Sequence, residues 1–395
     1  MSFNIALSGL QATTQDLNTI SNNIANASTN GFRGGRSEFA SIYNGGQAGG
    51  VSVMSTTQNF SKGGSLTYTG RQLDMGIQGE GFFVLKGTDG GAMYARAGMF
   101  HKDSQGFITD PVGSRLQGYS VNATGKIQQG NVGDLQVQTA SLAAKATTQV
   151  GLVSNLDARV DPIAVAFDPK DINSYHSIGT TSVYDSLGAE HVVTQYYVKT
   201  APNEWTVNYT LDGVQLTEQT TLTFDAKGVL DPTTTKQAFD LTLPNGASNL
   251  QFEINFDKST QYAAKYNNSS LSQDGYTSGE LKGVRLDDNG MLYGTYTNGQ
   301  EQLQGQVILA NFSNPNGLSA VSNNAWVATN TAGQAITGAP STGTMGTVTG
   351  GYLEGSNVDT TAEMVNLMSA QRNYQSNAKV LDVNSTMQQA LLNAI

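Results

Sequence analysis

The two ends of this 395-residue chain carry the same spacing of apolar and small residues, and the region between them does not. Near the N-terminus the series is Phe3, Ala6, Leu10, Thr13, Leu17, Ile20 and Ile24. Near the C-terminus it is Met364, Leu367, Gln371, Tyr374, Ala378 and Leu381, continuing to Leu392 and Ile395. Alternating steps of three and four put each series on one helical face, the signature of a coiled-coil seam. The chain leaves and returns at the same end, so the two helices are expected to lie antiparallel. A chain with two sticky helices at its extremes is suited to pack against copies of itself. Assembly is a stronger expectation than catalysis.

The first helix is expected from about 3 to 27. Asn30 and Gly31 form a stop, because Gly31 can take the left-handed conformation of a C-terminal cap. Phe32 is then expected to anchor the following segment on the β body. The last helix begins after Ser356, Asn357, Val358 and Asp359, which offer N-caps, and Glu363 falls in its first turn where the helix dipole favours an acid. Gln371 occupies a seam position, where a buried amide must find a partner or lose free energy on desolvation.

The middle of the chain repeats one device. Asp103, Asn122, Asp185, Asp225 and Asp287 each stand three residues before a glycine (Gly106, Gly125, Gly188, Gly228 and Gly290), between strand-like segments. The side chain can accept from the backbone two residues on, and the glycine supplies positive φ, as a tight hairpin requires. An antiparallel, mainly β middle follows. Boundaries are expected near 143–148 and 275–283, giving a domain at 147–283 inserted into another formed by 71–146 and 284–357. The segment 31–70 is expected to be an extended linker, with helices at 1–30 and 358–395. The Gly/Thr-rich stretches 43–50 and 337–351 are candidate hinges. The fold class is mainly β with α-helical termini: an antiparallel coiled-coil pair plus two β domains, one inserted in the other.

Composition removes several functions. There is no cysteine, hence no disulfide, thiolate metal site or cysteine nucleophile. A net charge of −10 without a dense basic patch argues against nucleic acid. No apolar run approaches 18 residues, so no membrane insertion is expected, and the N-terminal residues lack the features of a Sec signal peptide. The turn at Asp287 lacks the first-position Asp and distal Glu of a calcium loop. His101, His176 and His191 sit in or beside turns and hairpins, and no GxSxG, HExxH or phosphate-binding loop occurs. No cofactor, metal or catalytic residue is assigned. A glycosidase and a β-rich surface adhesin are the rivals from other classes, and an adhesin would not need matched terminal seams.

Three groups of residues resemble the bacterial flagellar rod and hook family. The first is Asn22, Asn23, Ile24, Ala25 and Asn26 with Thr29, Gly31, Phe32 and Arg33. The second is Gly70 to Asp74, Ile77 to Phe83, and Tyr94, Ala95 and Arg96 with Gly98, Phe100 and Asp103. The third is Leu353 to Asp359 with Gln371, Arg372, Asn373, Tyr374 and Asn377. Many relatives have lysine at Arg33, and the charge is kept. The large insertion is most similar to the hook members, whereas distal rod members resemble the rest but lack so large an insertion; a distal rod or hook–filament junction member is the alternative within the family.

The resemblance implies a subunit of a flexible, curved helical tube that passes torque to the filament, with the termini lining the inner tube and the β domains outside. It implies an extracellular location in the flagellum, reached by type III export without a cleaved signal. The implied partners are further copies of the chain, the distal rod protein, the hook–filament junction protein, the hook cap and the export apparatus. The residues expected to meet neighbouring subunits are Phe3, Leu10, Leu17, Ile20, Asn22, Asn23, Ile24, Asn26, Met364, Leu367, Gln371, Arg372, Tyr374, Ala378 and Leu381. Gly31 and Phe32 would act as cap and hinge. Asn22 and Asn26, four residues apart, either bond neighbouring backbone and fix subunit spacing or end a solvated helix; the family motif favours the first. Arg372 either pairs with a carboxylate of another subunit or remains an exposed helical arginine.

Overall fold

The computed structural model describes residues 2–44, 47–122 and 125–393. Helix α1 (Ser2–Ala25) and helix α2 (Thr360–Asn393) bracket a chain of strands. Asp359 caps α2, its Oδ1 accepting from the N–H groups of Thr361 at 2.9 Å and Ala362 at 3.2 Å. Seam position Ile395 lies outside the described residues, as do Ala123 and Thr124 of one expected turn. Among the described residues no helix is long and apolar enough to cross a membrane.

The chain divides into two compact units, one of residues 1–139, 282–295 and 301–395, the other of 140–281 and 296–300. The first holds both helices, a long hairpin of β1 (Gly35–Asn44) and β2 (Gln47–Gln58), and a sheet whose central strands are Arg115–Val121, Phe82–Lys86 and Ala92–Ala95. Its aromatic core gathers Phe82, Tyr94, Phe312 and Trp326, with Phe60 5.6 Å edge-on to both Phe82 and Trp326.

Both candidate hinges contain strand. The stretch 43–50 is the distal part of the β1–β2 hairpin, with Tyr43 opposite Ala48 and Ile42 opposite Gly50; Gly45 and Gly46 lie outside the described residues. Within 337–351, the strand Thr347–Gly350 pairs with Met75–Gln78. Threonine suits a pleated surface, and ladder hydrogen bonds consume the freedom that the glycines would otherwise have.

The second unit sets a four-stranded antiparallel meander (Ser177–Tyr184, Glu190–Ala201, Glu204–Leu211 and Val214–Thr223) beside a five-stranded sheet. Their shared core includes Trp205, Tyr209, Phe239 and Phe252. Trp205 is fully buried, and its indole N–H donates to Gln261 Oε1 at 2.7 Å. The antiparallel expectation needs one correction. Strand Gln149–Asp157 runs parallel to Leu250–Asn255 and Thr260–Tyr262, while Asn267–Gln273 pairs with it antiparallel; the meander supplies the long connection that a parallel partner needs.

The Asp/Asn turns form as the sequence implies. At Asp287, Oδ1 accepts from the N–H groups of Asn289 at 3.0 Å and Met291 at 2.8 Å, while Gly290 has φ 73°. That carboxylate belongs to a turn. Asp110 with Gly113 is a further example beyond the five read from the sequence, and Pro111 fits its second position.

One histidine sits between carboxylates. His191 Nδ1 lies 2.7 Å from Asp212 Oδ2, and Nε2 lies 3.5 Å from the buried Asp185 Oδ2. Burial disfavours the charged ring, and the hydrogen bonds to Asp212 and Asp185 outweigh it, so the imidazole is shifted upward. Burial also opposes ionisation of Asp185 and Asp212, yet hydrogen bonds from Asn245 and backbone N–H groups to Asp185, and from His191 to both, hold these carboxyls below their usual range. The histidine's contribution is complete below its unfolded pKa, about 6.5, and is lost as pH rises through the raised folded value. The carboxylates act in the opposite sense, losing their contribution on acidification. We expect His191→Asn to destabilise this unit more at pH 6 than at pH 8.5. Trp205 fluorescence in urea, on a Trp326→Phe background, measures the difference; equal losses at both pH values would refute it.

Candidate functional site at the root of the terminal helices

Helix α1 ends at Ala25, and the chain turns sharply six residues later at Gly31. Its φ is +72°, and a Cβ there would lie 2.4 Å from the backbone N of Ala97. The Gly31 N–H donates to Glu354 O at 2.8 Å, tying this turn to the chain just before α2. Gly31→Ala is expected to lose about 1–3 kcal/mol from conformation alone, with the clash adding to it. Gly90 has φ +84° and nothing within 4 Å of a Cβ, so Gly90→Ala carries only the conformational part. Thermal melts that show the same loss for both would remove the steric claim.

Two residues beyond Gly31, the chain buries a charge. The Arg33 guanidinium donates to Glu354 Oε1 at 2.7 Å. Arg96, just after the strand Ala92–Ala95, donates to Glu354 Oε2 at 3.3 Å and to Gly79 O at 2.9 Å. All three side chains are at most 2% exposed. Glu354 Oε1 also accepts the Gly64 N–H at 3.0 Å, and Arg96 lies 5.2 Å from the centre of the Phe82 ring. Burial pulls the Arg96 pKa down to about 10, against the opposing pull of Glu354, which still leaves the group charged at neutral pH. Neither Nε atom has a partner among the described residues. A buried charge without a counter-charge is strongly destabilising, so the three segments are stable only together.

A second set of bonds, mostly through amides, surrounds the triad. Asn23 donates to Gly35 O and accepts from Gly35 N, both at 2.8 Å, holding α1 to the start of β1 as a strand partner would. Thr19 and Ser37 share a buried hydroxyl bond of 2.9 Å. Asn357 accepts from Gly34 N at 2.8 Å and donates to Asn59 O and Lys62 O. The end of α1, the base of the hairpin and the start of α2 are thereby fixed as one body.

The seam residues fall into distinct environments. Ile20 and Asn23 are buried, while Leu10, Leu17, Ile24, Leu367, Ala378 and Leu381 are half-buried, as are Asn26 and Phe32. Phe3, Asn22, Met364, Gln371, Arg372 and Tyr374 are exposed. Within the chain α2 meets α1 through a stripe one residue away from the expected seam. A Cβ on Gly9 would meet Asn377 Oδ1 at 2.9 Å, and Ala370 is buried. Small residues allow the helices this close approach, which a stripe carrying Met364 and Tyr374 would not. Asn22 and Asn26 also differ from expectation inside the chain. The Asn26 amide donates to Asn22 Oδ1 at 2.8 Å, and it is Asn23 that reaches a neighbouring backbone. Sequence reasoning missed Arg96 and Glu354 as a pair, since 258 residues separate them.

Arg33, Arg96 and Glu354, which meet in the triad, come from the three groups that suggested a family, and independent comparisons agree. Residues 3–33 match the family described as flagella basal body rod protein. Residues 76–151 match the flagellar hook protein FlgE/F/G D1 domain, 155–276 the flagellar basal body protein FlaE D2 domain, and 349–394 the flagellar basal body rod FlgEFG protein C-terminal region. The flagellar hook protein FlgE of Salmonella typhimurium is 39% identical over 405 residues, with all of both chains covered. The chain belongs to the flagellar hook protein family. The FlgE of Escherichia coli is 38% identical over 403 residues, again covering both chains. Among solved structures, the Helicobacter pylori flagellar hook protein FlgE2 shares the fold, with a TM-score of 0.56 and 13% identity over 73% of this chain and all of that one. As a hook protein family member the chain is a structural subunit of the bacterial flagellar hook, and its mainly β architecture with helical termini is that of the family.

Proposed function

We propose that this hook subunit acts without catalysis, as one element of a curved helical tube that transmits torque from rod to filament. The observation that carries the reading is the apolar surface that the terminal helices leave uncovered in the chain. Met364, Val365, Met368, Val380, Val383 and Met387 are each at least 47% exposed along α2. A row of that length on a helix whose other stripe already meets α1 is suited to packing against further copies. Contacts that repeat between unlike faces need not close, and they generate an open helix.

In this reading α1 and α2 line the inner tube, the 147–283 domain faces outward, and the triad passes load between helices and β body. The subunit leaves by the flagellar type III apparatus with its N-terminal helix uncleaved, polymerises beneath a hook cap, and is bounded by the distal rod protein and the hook–filament junction protein. Immunogold microscopy with antibody against residues 147–283 is the test. Label along the short curved segment between cell and filament is the expected result, and the mass of the shed protein should retain residue 3. Label on the straight rod or only at the junction would reject this placement.

A further inference from the structure

The terminal helices carry few charges, and two of them lack ionic partners. Asp16 is the one charged residue of α1. It lines a groove of about 660 Å³ between α1 and the β1–β2 hairpin, edged by Asn373, Ser376 and Asn377 of α2, whose apolar wall includes the exposed Ile5, Phe39 and Ile42. No cation pairs with Asp16 among the described residues, and burial raises its carboxyl pKa. It also lines the adjoining groove with Glu363, whose Oε2 is buried and has no hydrogen-bond partner among the described residues. Along the two grooves the carboxylates Asp16, Glu38, Asp359 and Glu363 outnumber the cations Arg36 and Lys62, and the wall beside Asp16 is apolar.

A neighbouring face of α2 has the complementary character. Arg372 and Lys379 are the cations of α2, and they lie on one outward face with Val380, Val383 and Met387, which are 47–57% exposed. Lys379 already has Asp382 at 3.0 Å. Arg372 has only Met368 O and Ser369 Oγ, both at a long 3.4 Å, and no carboxylate among the described residues. An apolar–basic ridge and an apolar–acidic groove on different faces of one layer fit each other when two copies meet.

We propose that the outer face of α2 of one subunit docks in the α1–hairpin groove of a second copy, with Arg372 paired to Asp16 of that copy. The inference rests on the self-assembly reading and adds the faces and the register. Because ridge and groove are different surfaces, the contact is heterologous and can repeat without closing. Joining the charges removes an uncompensated carboxylate from a half-buried site, and the apolar residues beside them exclude water from the pair.

The test uses the full chain and charge reversal. Asp16→Arg and Arg372→Glu are each expected to raise the concentration needed for polymerisation at least about tenfold, since a like-charge contact at a desolvated site costs more than 1.4 kcal/mol. An equimolar mixture of the two variants is expected to polymerise near the wild-type threshold, because each supplies the charge the other needs. Electron microscopy and pelleting read the result. Single variants that assemble normally, or a mixture that stays monomeric, would overturn the pairing. Rescue by the double variant alone, with no rescue by mixing, would place the pair within one chain and overturn the docking. A wild type that never polymerises under these conditions would remove the self-assembly reading, and the docking with it.

Discussion

Glu354→Gln is expected to destabilise the unit carrying the helices by about 3–5 kcal/mol, the range for breaking a buried ion pair from one side. The substitution keeps the shape and an acceptor for the Gly64 N–H, and it leaves Arg33 and Arg96 buried with no counter-charge. Two guanidiniums that shared a carboxylate then repel each other in a site that water does not reach. For a domain of ordinary stability, about 5–15 kcal/mol, the loss is at least about a fifth of the total. The same account predicts a rescue. Arg33→Met and Arg96→Met added to Glu354→Gln should restore most of the stability, because a buried triad replaced by neutral groups of similar volume is close to neutral. Trp326 fluorescence in urea follows this unit, since Trp326 packs edge-on against Phe82 beside the triad. A Glu354→Gln midpoint equal to that of the wild type would mean that charge does not hold the root.

The second large effect concerns the ends. In isolated monomer, residues 2–15 and those beyond 378 should be cut by protease at least about a hundredfold faster than in polymer, while 19–33 resist in both. What α1 and α2 bury against each other is small: Ala6, Ala12 and Ala370, with Ile20 the one large side chain among the fully buried positions. Helices held by so few contacts are marginal in water. The later half of α1 is different, because Asn23 and Thr19 bond the hairpin and the Gly31 turn is fastened to Glu354. Contacts with neighbouring copies bind only the ordered form and so stabilise it by mass action. Limited proteolysis with mass detection distinguishes the two states, and uniform resistance of the ends in a verified monomer would contradict the prediction.

For the bound copies, the location of Arg33 matters as much as its charge. Exposed arginines such as Arg36, paired with Glu38 on the hairpin surface, contribute little. Arg33 is three residues away and fully buried, and it couples the exit of α1 to the entry of α2. A pull on the helices is thereby delivered to the sheet through hydrogen-bonded segments, without a flexible linker.

The sequence by itself determined the helices, their antiparallel pairing, the mainly β middle and the hairpin turns. Each of these depends on local patterns: a 3-4 apolar spacing, an Asp or Asn three residues before glycine, a capping Asp359. Only the tertiary structure decided what the polar residues do. Glu354 looks like any strand glutamate until Arg33, 321 residues away, is set 2.7 Å from it. Of two α2 faces one residue apart, the apolar spacing marks the one with Met364, Leu367 and Tyr374, and the structure pairs the other with α1. The small side chains of Gly9 and Ala370 selected one, since close packing of backbones is a property of two surfaces together and is not written in either helix alone.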